Sequence, residues 1–587
     1  MRIALRQTRN EPKSLPFWVW PLYLLLLWQI LLSAQNPGLM SDDSGEMIAA
    51  SCRLGLPHPP GYPLFNLVGY LFSFIHVGSV AFGFNLLGTL LVLFSLALIL
   101  DTCRQLKIFS SSQGYFMECL LMLLGVLFVA NRSVFAQCLT AKGCVYGFTL
   151  LFVSLLLWLR VKWVSSWSIF LLTWFLWSVG MANHWQTQVF WLPFLFFWGV
   201  KTKIIRTLKV ALYASSLGVM GLSLYLYLPL RAVLGVLPCW GNPITLRGFY
   251  WVVSRQLVKR SENWIQPFSF YVQSVQWIFK TLMFYWMPGF IFLALIGVAA
   301  LWKRNHFFLN NLLLLFLPVL IGVALVHEER NQYLVPVYLV SLAGMMVILG
   351  FAGLNWLQER LGKESKLHWA FLLMAAVLSA SWLVNVYHLE NKSRYTLAED
   401  FGLNVLKGLP KNALLIADGD HYVMPIWYLQ YAKGLRPDLI FQPSVFLYHN
   451  WGWAQLAEHS ADIKKAIYST PLFAGRLTAL TALFPQQPFY YSLERDYLQP
   501  VLDQVPGEWI PSGLAYEWRE KTPAARDVFN RSALLINTER LRGLEEFPDF
   551  KRIDPSTTQI YRYYALQDSL LAQFLKKLSA TSPETPK

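Results

Sequence analysis

Eleven apolar segments between residues 17 and 388 restrict this chain to folds that cross a lipid bilayer. Most have 17 or more residues, close to the about 20 that a helix needs to span the hydrocarbon core. Only 14% of the 587 residues are charged, against about 25% in soluble domains. These features exclude a soluble single-domain enzyme. The predicted spans lie near 17–34, 80–100, 114–130, 143–160, 168–182, 187–200, 210–230, 282–301, 307–326, 333–354 and 368–388.

The charge distribution predicts the orientation of these spans. The formal net charge is +16, but residues 389–587 hold 22 Lys+Arg and 22 Asp+Glu, so the excess lies in residues 1–388. With a cytoplasmic N-terminus, the cytoplasmic loops hold 17 Lys/Arg in 64 positions and the outside loops 10 in 100. Because cytoplasmic loops are enriched in Lys and Arg, we predict that the N-terminus is cytoplasmic and the C-terminal domain extracytoplasmic. The same distribution argues against a nucleic-acid partner.

The composition changes near residue 389 to that of a soluble domain. We predict a membrane domain over 1–388, with a functional first outside loop at 35–61, and an α/β domain over 389–587. The apolar run 61–76 is short and is predicted to lie on or dip into the outer face. In the tail the pattern predicts strands at 413–417, 439–441 and 533–536, a turn at 418–420 and a helix at 423–433.

Asp418, Asp420 and His421 follow the first of these predicted strands. Open α/β sheets bind ligands at strand ends, but these residues also fit a turn with a capped helix. No nucleophile motif or phosphate-binding loop accompanies them, so the turn is the favoured interpretation. The whole sequence has no P-loop, HExxH or GxSxG motif, which argues against nucleotide-driven transport and the common hydrolases.

The predicted outside loops of the first 388 positions hold six acidic residues, and three of them lie within five positions of each other. Asp42, Asp43 and Glu46 follow the first span, whereas the others are scattered. If 44–54 is a helix, Ser44 or Asp43 can cap it. Three carboxyl groups exceed what a cap needs, so we predict a general base or a cation site here.

Cationic and imidazole side chains lie at span ends on the same predicted outside face. They are His58, His184, Arg231 and Arg330. A guanidinium binds phosphate oxygens with two nitrogens, although Arg231 also fits a snorkelling residue and His184 an interhelical histidine. Together with the acids they predict an outside pocket suited to a lipid-linked phosphate.

Several motifs resemble the protein O-mannosyltransferase-like family of GT-C glycosyltransferases. The most specific is Asp43-Ser-Gly-Glu46 followed by Leu56-Pro-His-Pro-Pro-Gly-Tyr-Pro-Leu-Phe65. Others follow in order over residues 35–450: Gly180-Met-Ala-Asn-His184, Tyr227-Leu-Pro-Leu-Arg231, Trp240-Gly-Asn-Pro243, Arg330-Asn-Gln-Tyr-Leu-Val-Pro336 and Arg436-Pro-Asp438.

The resemblance implies a polytopic α-helical GT-C fold and a glycosyltransferase. Its donor would be a polyprenyl-phosphate sugar, typically mannose, and its acceptor an exported protein Ser/Thr hydroxyl, a lipid or a glycan, with inversion at the sugar. Asp43 or Asp42 would be the base and Glu46 a second essential acid. His58 would shape the loop, and His184, Arg231 and Arg330 would meet the donor phosphate.

Further implications concern substrate contacts and ions. Trp240 and Asn242 would bind substrate, and Mg or Mn assistance stays open. The sequence departs from the family pattern at Lys142. The family usually has an acidic residue at this place, before Val-Tyr, so the lysine puts an acceptor-binding or metal-binding role of the position in doubt.

Two other classes of protein also fit a chain with many spans. A transporter or flippase would place its charges near the membrane midplane, whereas here they gather on one face. A membrane-anchored binding protein would work through its tail and not need the acids. A bacterial inner membrane is favoured because the tail has no cysteine, and an endoplasmic reticulum membrane is also compatible.

Overall fold

The structure is a computed structural model, and it describes most of the chain. The described residues are 15–75, 77–106, 114–163, 166–203, 207–256, 267–326, 335–361, 366–456, 462, 473–492, 502–520 and short stretches between 558 and 576. Two predicted features lie outside them, the side chain of Arg330 and the strand at 533–536.

Each of the eleven predicted apolar segments contains a helix. In chain order, the α-helices described up to residue 390 are α1 Val19–Ser33, α2 Ser44–Arg53, α3 Pro63–Phe72, α4 Val80–Gln105, α5 Gly114–Val129, α6 Arg132–Cys138, α7 Gly143–Lys162, α8 Trp167–Gln188, α9 Leu192–Lys201, α10 Leu208–Leu222, α11 Tyr227–Val233, α12 Leu246–Val253, α13 Phe268–Tyr285, α14 Pro288–Arg304, α15 His306–Val326, α16 Val335–Tyr338, α17 Ala343–Leu361 and α18 Lys366–Glu390.

Several of these helices are built to cross a membrane. Among the described residues, six helical segments are long and apolar enough to span it, or up to eight if each of two bent pairs forms one span. The bent pairs are α5 with α6, at 66°, and α13 with α14, at 112°. The total of eleven crossings therefore stays a prediction. Helix α3 has ten residues, or about 15 Å, which is too short to cross.

The chain groups into two compact units, each made of three separate segments. The first comprises Met1–Gln35, Asn85–Tyr225 and Val258–Lys392. The second comprises Asn36–Phe84, Leu226–Leu257 and Ser393–Lys587. Two predicted outside loops thus share a compact unit with the C-terminal segment.

In the first unit, helices α14 and α17 approach each other closely. A Cβ atom added at Gly297 would lie 1.9 Å from the Leu349 carbonyl oxygen, and one at Gly353 would lie 2.2 Å from the Leu293 carbonyl oxygen. Membrane helices associate largely through van der Waals packing, and small residues allow their backbones to meet. Glycine is therefore required at both positions.

The first unit also contains a buried group of charges. The Glu390 carboxylate accepts a hydrogen bond from Arg132 Nε, and its other oxygen lies 3.5 Å from Lys392 Nζ. Arg132 also lies over the Phe284 ring, 4.6 Å from its centroid. All three charged residues are buried. Burial of a single charge costs free energy of desolvation, and the opposite charges in this group offset that cost.

In the second unit, the C-terminal segment forms helices around a five-stranded sheet. Its elements are α19 Leu397–Lys407, β1 Leu414–Ala417, α20 Asp420–Trp427, β2 Ile440–Pro443, α21 Ser444–Leu447, α22 Asn450–Gln455, α23 Phe473–Leu483, β3 Phe489–Ser492, β4 Glu508–Ser512 and β5 Ala515–Arg519. A π-helical turn, Tyr428–Ala432, continues α20.

The sheet has the strand order β2-β1-β3-β5-β4. Strand β1 is parallel to β2, with Leu414 opposite Ile440, and parallel to β3 on its other side. Strand β5 is antiparallel to both β3 and β4. All four residues of β1 are buried, because a central parallel strand is covered on both faces.

The predicted α/β character of the tail is confirmed by these elements. The predicted strands at 413–417 and 439–441, the turn and the following helix are all present. Strands β3, β4 and β5 were not predicted. Strand β3 is a run of only four residues, and charged residues or a proline interrupt the apolar pattern of β4 and β5.

We expect Gly297→Ala to destabilise the first unit. The added methyl group would meet the backbone of α17, and overpacking of this kind costs about 1–3 kcal/mol. Thermal unfolding of the detergent-solubilised protein should show a lower midpoint. Gly289→Ala on the same helix is the matched control, since its nearest atom, Met287 Cε, lies 4.0 Å away. Equal midpoints for the two variants would contradict the close approach.

Candidate active site

The predicted acidic cluster lies at the start of helix α2, in the second unit. Asp43 is the residue that precedes the helix, but its side chain makes no capping hydrogen bond. Instead, Asp42 Oδ1 accepts the Ser44 N–H at 2.9 Å. The predicted helix is confirmed, while its capping differs from the prediction. Asp42 is engaged by the backbone, whereas Asp43 stands beside the helix N-terminus, where a negative charge is favoured.

Glu46 lies one turn further along α2 and is completely buried. Its Oε1 accepts the main-chain N–H of His58 at 2.9 Å, and its Oε2 lies 2.6 Å from His58 Nδ1. The other ring nitrogen of His58, Nε2, lies 3.0 Å from the Tyr62 hydroxyl. An acid from the helix thus holds the Pro-rich loop through His58.

Helix α2 packs against the C-terminal segment at Gly45. A Cβ atom added there would lie 2.1 Å from the carbonyl oxygen of Met424, in α20. Only a residue without a side chain allows this approach. The glycine of the Asp43-Ser-Gly-Glu46 motif therefore has a packing role that places the acids against the tail.

Helix α11 holds the C-terminal end of α2. Arg231 Nε donates to the Leu54 carbonyl at 2.8 Å, and Nη2 donates to the Arg53 carbonyl at 3.1 Å. One turn earlier, the Tyr227 hydroxyl donates to the Gly55 carbonyl at 2.7 Å. A cation favours a helix C-terminus, whose last carbonyl groups lack partners. Arg231 therefore positions α2, and a contact with phosphate stays a prediction for it.

The Trp240 motif runs beside the same loop. Leu56 N–H donates to the Pro238 carbonyl at 2.7 Å, and Trp240 N–H donates to the Leu56 carbonyl at 3.3 Å. The buried indole ring of Trp240 contacts Phe446, with centroids 4.7 Å apart. Asn242 adopts a positive φ of 44° in the turn that follows. Both residues shape the surroundings of the loop, and substrate binding by them stays a prediction.

His184 belongs to the first unit, where it interrupts a helix. It breaks α8 with φ −153° and ψ 85°, and its ring centroid lies 5.8 Å from that of Tyr146 and 6.0 Å from that of Tyr338. The preceding Asn183 donates from Nδ2 to the Val145 carbonyl at 2.8 Å. Arg330 lies outside the described residues, so its predicted role is unchanged.

In the tail, Asp418 forms the predicted turn at the end of β1. Its Oδ1 accepts the Gly419 N–H at 3.0 Å and the Ser444 hydroxyl at 2.8 Å. Its own N–H donates to Ser492 Oγ at 2.9 Å. Through its carboxylate and its main-chain N–H, Asp418 thus joins the ends of three parallel strands, which supports the turn over a catalytic site.

His421 is a structural side chain of the same region. Its Nε2 lies 2.5 Å from the Tyr563 hydroxyl, and burial lowers the pKa of His421 to about 4. The ring is therefore neutral near pH 7. Nearby, Arg436 hydrogen-bonds Asp438 and holds the pKa of that carboxyl down at about 2.

The described residues contain no group of three or more His, Cys, Asp and Glu side chains arranged to hold a metal ion. Both oxygens of Glu46 are bonded to His58, and Asp42 bonds the backbone. These carboxylates do not form a cation cage, so no chemical step is assigned to a metal. The predicted involvement of Mg or Mn stays a prediction.

Comparisons with known proteins place the acid-bearing helix in a defined family domain. The family model "Protein O-mannosyl-transferase TMEM260 N-terminal domain" matches residues 43–206, and "TMEM260-associated domain 2" matches residues 398–469. The predicted family resemblance is confirmed. The first matched region begins at Asp43, and the second contains α20, which packs on Gly45.

Two curated relatives carry the same name as the family models. The chain is 24% identical to protein O-mannosyl-transferase TMEM260 of Mus musculus over 472 residues, which are 72% of this chain and 62% of that protein. It is 23% identical to protein O-mannosyl-transferase tmem260 of Dictyostelium discoideum over 547 residues, which are 80% of this chain and 61% of that protein. The chain therefore covers about three fifths of each relative.

The predicted GT-C fold is confirmed by solved structures. ArnT from Cupriavidus metallidurans bound to undecaprenyl phosphate matches with a TM-score of 0.50 and 12% identity, over 86% of this chain and 99% of that one. The apo structure of ArnT matches equally well. Together with the apolar helices, this match makes the chain a multi-pass integral membrane protein with the fold of ArnT.

Sequence reasoning missed the residues that hold the site together. Tyr62 and Tyr227 lie within the motifs, but the sequence analysis assigned them no role. Tyr62 is four residues after His58, and Tyr227 is four residues before Arg231. Side chains four apart on a helix face the same way, which was the available signal for Tyr227. No sequence signal pointed to the contact between Gly45 and Met424.

We expect Gly45→Ala to disturb the acid-bearing helix. The methyl group would overlap the Met424 carbonyl, so the unfolding midpoint should fall, by an overpacking cost of about 1–3 kcal/mol. Limited proteolysis of the solubilised protein should also accelerate. Gly38→Ala is the control in the same segment, because it meets only the end of the flexible Glu399 side chain at 3.3 Å. Unchanged stability for Gly45→Ala would rule out the close packing of α2 on α20.

We expect Arg231→Met to lower stability, because it leaves two backbone carbonyls without donors, at about 1–3 kcal/mol. Thermal unfolding in detergent measures this effect. The control is Arg247→Met, since Arg247 is exposed on α12. An unchanged midpoint together with a raised KM for a lipid-phosphate donor would instead assign Arg231 to substrate binding.

Proposed function

We propose that this chain is a membrane glycosyltransferase that moves a sugar, mannose, from a polyprenyl-phosphate donor to an extracytoplasmic acceptor. The acceptor proposed is a protein Ser/Thr hydroxyl. The observation that carries the proposal is the position of two acids, Asp43 and Glu46, at the start of α2. Both lie inside a segment that matches an O-mannosyl-transferase domain.

The proposed reaction is a single displacement with inversion. Asp43 removes the proton of the acceptor hydroxyl, and the oxygen attacks the anomeric carbon of the sugar. The bond between that carbon and the phosphate oxygen breaks, and the lipid phosphate leaves with the bonding electrons. A base within hydrogen-bond reach of the hydroxyl contributes about 10²–10⁴-fold to such a step.

Asp43 is the better candidate for the base than Asp42. The Asp42 carboxylate accepts the main-chain N–H of Ser44, which fixes it to the start of the helix. The side chain of Asp43 makes no capping hydrogen bond, and Asp43 is the first residue of the Asp-Ser-Gly-Glu motif and of the region that matches the family model. We therefore propose Asp43 as the base and keep Asp42 as the alternative.

The donor and acceptor are supported by the relatives. ArnT, which shares the fold, binds undecaprenyl phosphate, and the curated relatives are named protein O-mannosyl-transferases. Arg330 and His184 are the proposed contacts for the donor phosphate. A guanidinium brings a fixed positive charge, which stabilises a leaving phosphate. A lipid or glycan acceptor remains the alternative within the same fold.

The proposed orientation keeps the acids outside the cytoplasm. The excess of Lys and Arg in the predicted inner loops supports a cytoplasmic N-terminus, which puts the loop at 35–61 and the C-terminal domain on the other side. A bacterial inner membrane is the proposed location.

The alternative hypothesis, a membrane-anchored binding protein, cannot be separated from the proposed enzyme by deleting the tail. Deleting residues 395–587 would remove Met424 and expose the face of α2 that packs on it. Both hypotheses therefore expect the deletion to abolish function. Substitution of Asp43 separates the two hypotheses, because only the enzyme needs this carboxylate.

We expect Asp43→Asn to lower sugar transfer at least about 10²-fold. The assay uses purified protein, radiolabelled polyprenyl-phosphate mannose and, in parallel, the glucose counterpart, with membrane extract as the source of acceptor. Label in a protein fraction with the wild-type chain supports the proposed acceptor. Label confined to a lipid fraction would replace it with a lipid.

Asp42→Asn is the matched control, because the Asn carbonyl can still accept the Ser44 N–H. We expect it to keep most of the transfer activity and the wild-type unfolding midpoint. Full activity in Asp43→Asn would remove Asp43 from the mechanism. Absence of label from folded wild-type protein with both donors would overturn the proposed reaction.

A further inference from the structure

Arg160 is a buried arginine in the last turn of helix α7, in the first unit. The residue is 2% exposed. Its guanidinium carbon lies 5.1 Å from the centroid of the Trp198 ring, on α9, and 4.6 Å from that of the Phe307 ring, on α15. Among the described residues, its Nε and Nη2 atoms have no hydrogen-bond partner, and both are buried. Three helix ends thus meet around one cation whose donors are unused.

Other arginines of the first unit are paired with an acid. Arg104 pairs with Glu118, Arg132 with Glu390, and Arg304 with Glu359. The side chains of Arg104 and Arg304 are 32% and 35% exposed, so Arg160 is much more buried than either and yet has no carboxylate partner in the described part of the chain. Arginine stays charged in proteins, and a buried charge without an opposite charge is costly.

The two aromatic rings satisfy only part of what Arg160 requires. Rings attract a cation, but they accept hydrogen bonds weakly. A guanidinium carries five N–H groups in one plane, and Nε and Nη2 can direct one N–H each to the same side. This pair of donors matches two oxygens of one phosphate group or carboxylate. The missing partner of Arg160 is therefore an oxyanion.

The sequence around these helix ends supplies cations and no acid. Segments 160–167, 201–209 and 302–306, all predicted to face the cytoplasm, hold eight Lys and Arg and no Asp or Glu. Basic pockets between membrane helices on this side of a bilayer bind the headgroups of anionic lipids. A phosphate from the membrane thus fits both the charge and the position of Arg160.

Helix α9 offers an apolar surface beside the cation. Phe196 and Val200, two residues on either side of the buried Trp198, are 66% and 47% exposed. Acyl chains can lie along these side chains while the headgroup reaches the guanidinium. Of the two rings at Arg160, that of Phe307 is only partly buried, so the headgroup enters by displacing this ring.

We propose that Arg160 is the phosphate-binding residue of a site for an anionic phospholipid, between the ends of α7, α9 and α15. The ligand class is a phosphate diester without a cation of its own, such as phosphatidylglycerol. The site is separate from the acidic loop, and sugar transfer does not depend on it. Its role is to hold the three helix ends together in the bilayer through the charge that the fold leaves unpaired.

Thermal unfolding of the purified full-length chain in detergent tests this proposal. Midpoints are measured with dioleoyl phosphatidylglycerol, with dioleoyl phosphatidylcholine and without lipid. A ligand that binds only the folded protein raises the midpoint. For the wild-type chain, we expect phosphatidylglycerol to raise it about 2–4 °C further than phosphatidylcholine does. For Arg160→Met, we expect the two lipids to act equally.

Lys162→Met is the matched control, because Lys162 is exposed on the same helix and its loss removes the same charge. We expect it to keep the wild-type preference for phosphatidylglycerol. Loss of that preference in Lys162→Met, or its persistence in Arg160→Met, would overturn the proposal.

The lipid-free midpoints separate the site from a structural arginine. Arg160→Met should then be at least as stable as the wild-type chain, because an apolar side chain replaces an uncompensated buried charge. If the two rings alone accounted for Arg160, the variant would be less stable by the same amount with and without lipid. That result would contradict the proposed site.

Arg160→Lys tests the two-nitrogen contact in a variant that keeps the charge. Lysine has no pair of parallel donors, so we expect the dissociation constant for phosphatidylglycerol, measured by titration with native mass spectrometry, to rise about tenfold. An unchanged dissociation constant would overturn the contact.

Inorganic phosphate and salt distinguish the sources of the oxyanion. Stabilisation of the wild-type chain by inorganic phosphate equal to that by phosphatidylglycerol would assign the site to a soluble anion and overturn the lipid. Buried contacts are screened less than surface charges, so the effect of phosphatidylglycerol should persist in about 0.5 M NaCl. Its disappearance there would indicate attraction to the surface lysines only, and the proposed site would be rejected.

Discussion

The hydrogen bonds between Glu46 and His58 are the interaction on which the arrangement of the acidic loop depends. A buried carboxylate is tolerated only when hydrogen bonds replace its lost hydration, and here one residue supplies both. The loop that carries His58 is thereby fixed to helix α2 at its first turn. The start of the helix, with Asp42 and Asp43, takes its position from the same contact.

The other end of α2 is held by a separate set of bonds. Tyr227 and Arg231 donate to three successive carbonyl groups, those of residues 53–55. Leu56 continues the series by pairing with the segment before Trp240. Tyr227, Arg231 and the segment before Trp240 therefore hold the backbone of the loop.

The sequence was sufficient for the membrane helices, the family and the first strands of the tail, since these depend on local apolar pattern and on long motifs. It also located the acidic loop, because acids are rare beside a bilayer. The sequence did not predict the hydrogen bond between Asp42 and Ser44, nor the hydrogen bonds that Tyr227 and Arg231 donate to the carbonyl groups of residues 53–55. Such contacts depend on which backbone group a side chain reaches, and neither periodicity nor composition records that choice.

The tail offers the clearest case of this limit. Strands β1 and β2 are short apolar runs that could be recognised, but the contact of Gly45 with Met424 joins two regions that look like separate domains in the sequence.

The contact between Gly45 and Met424 has a consequence for biosynthesis. Chains are made from the N-terminus at about 5–20 residues per second, so α2 is synthesised before α20. Until α20 has been made and has folded, the acids lie on a helix whose packing surface at Gly45 is uncovered. The acid-bearing helix therefore reaches its final packing only after Met424 has been synthesised, so an early part of the chain depends on a late one.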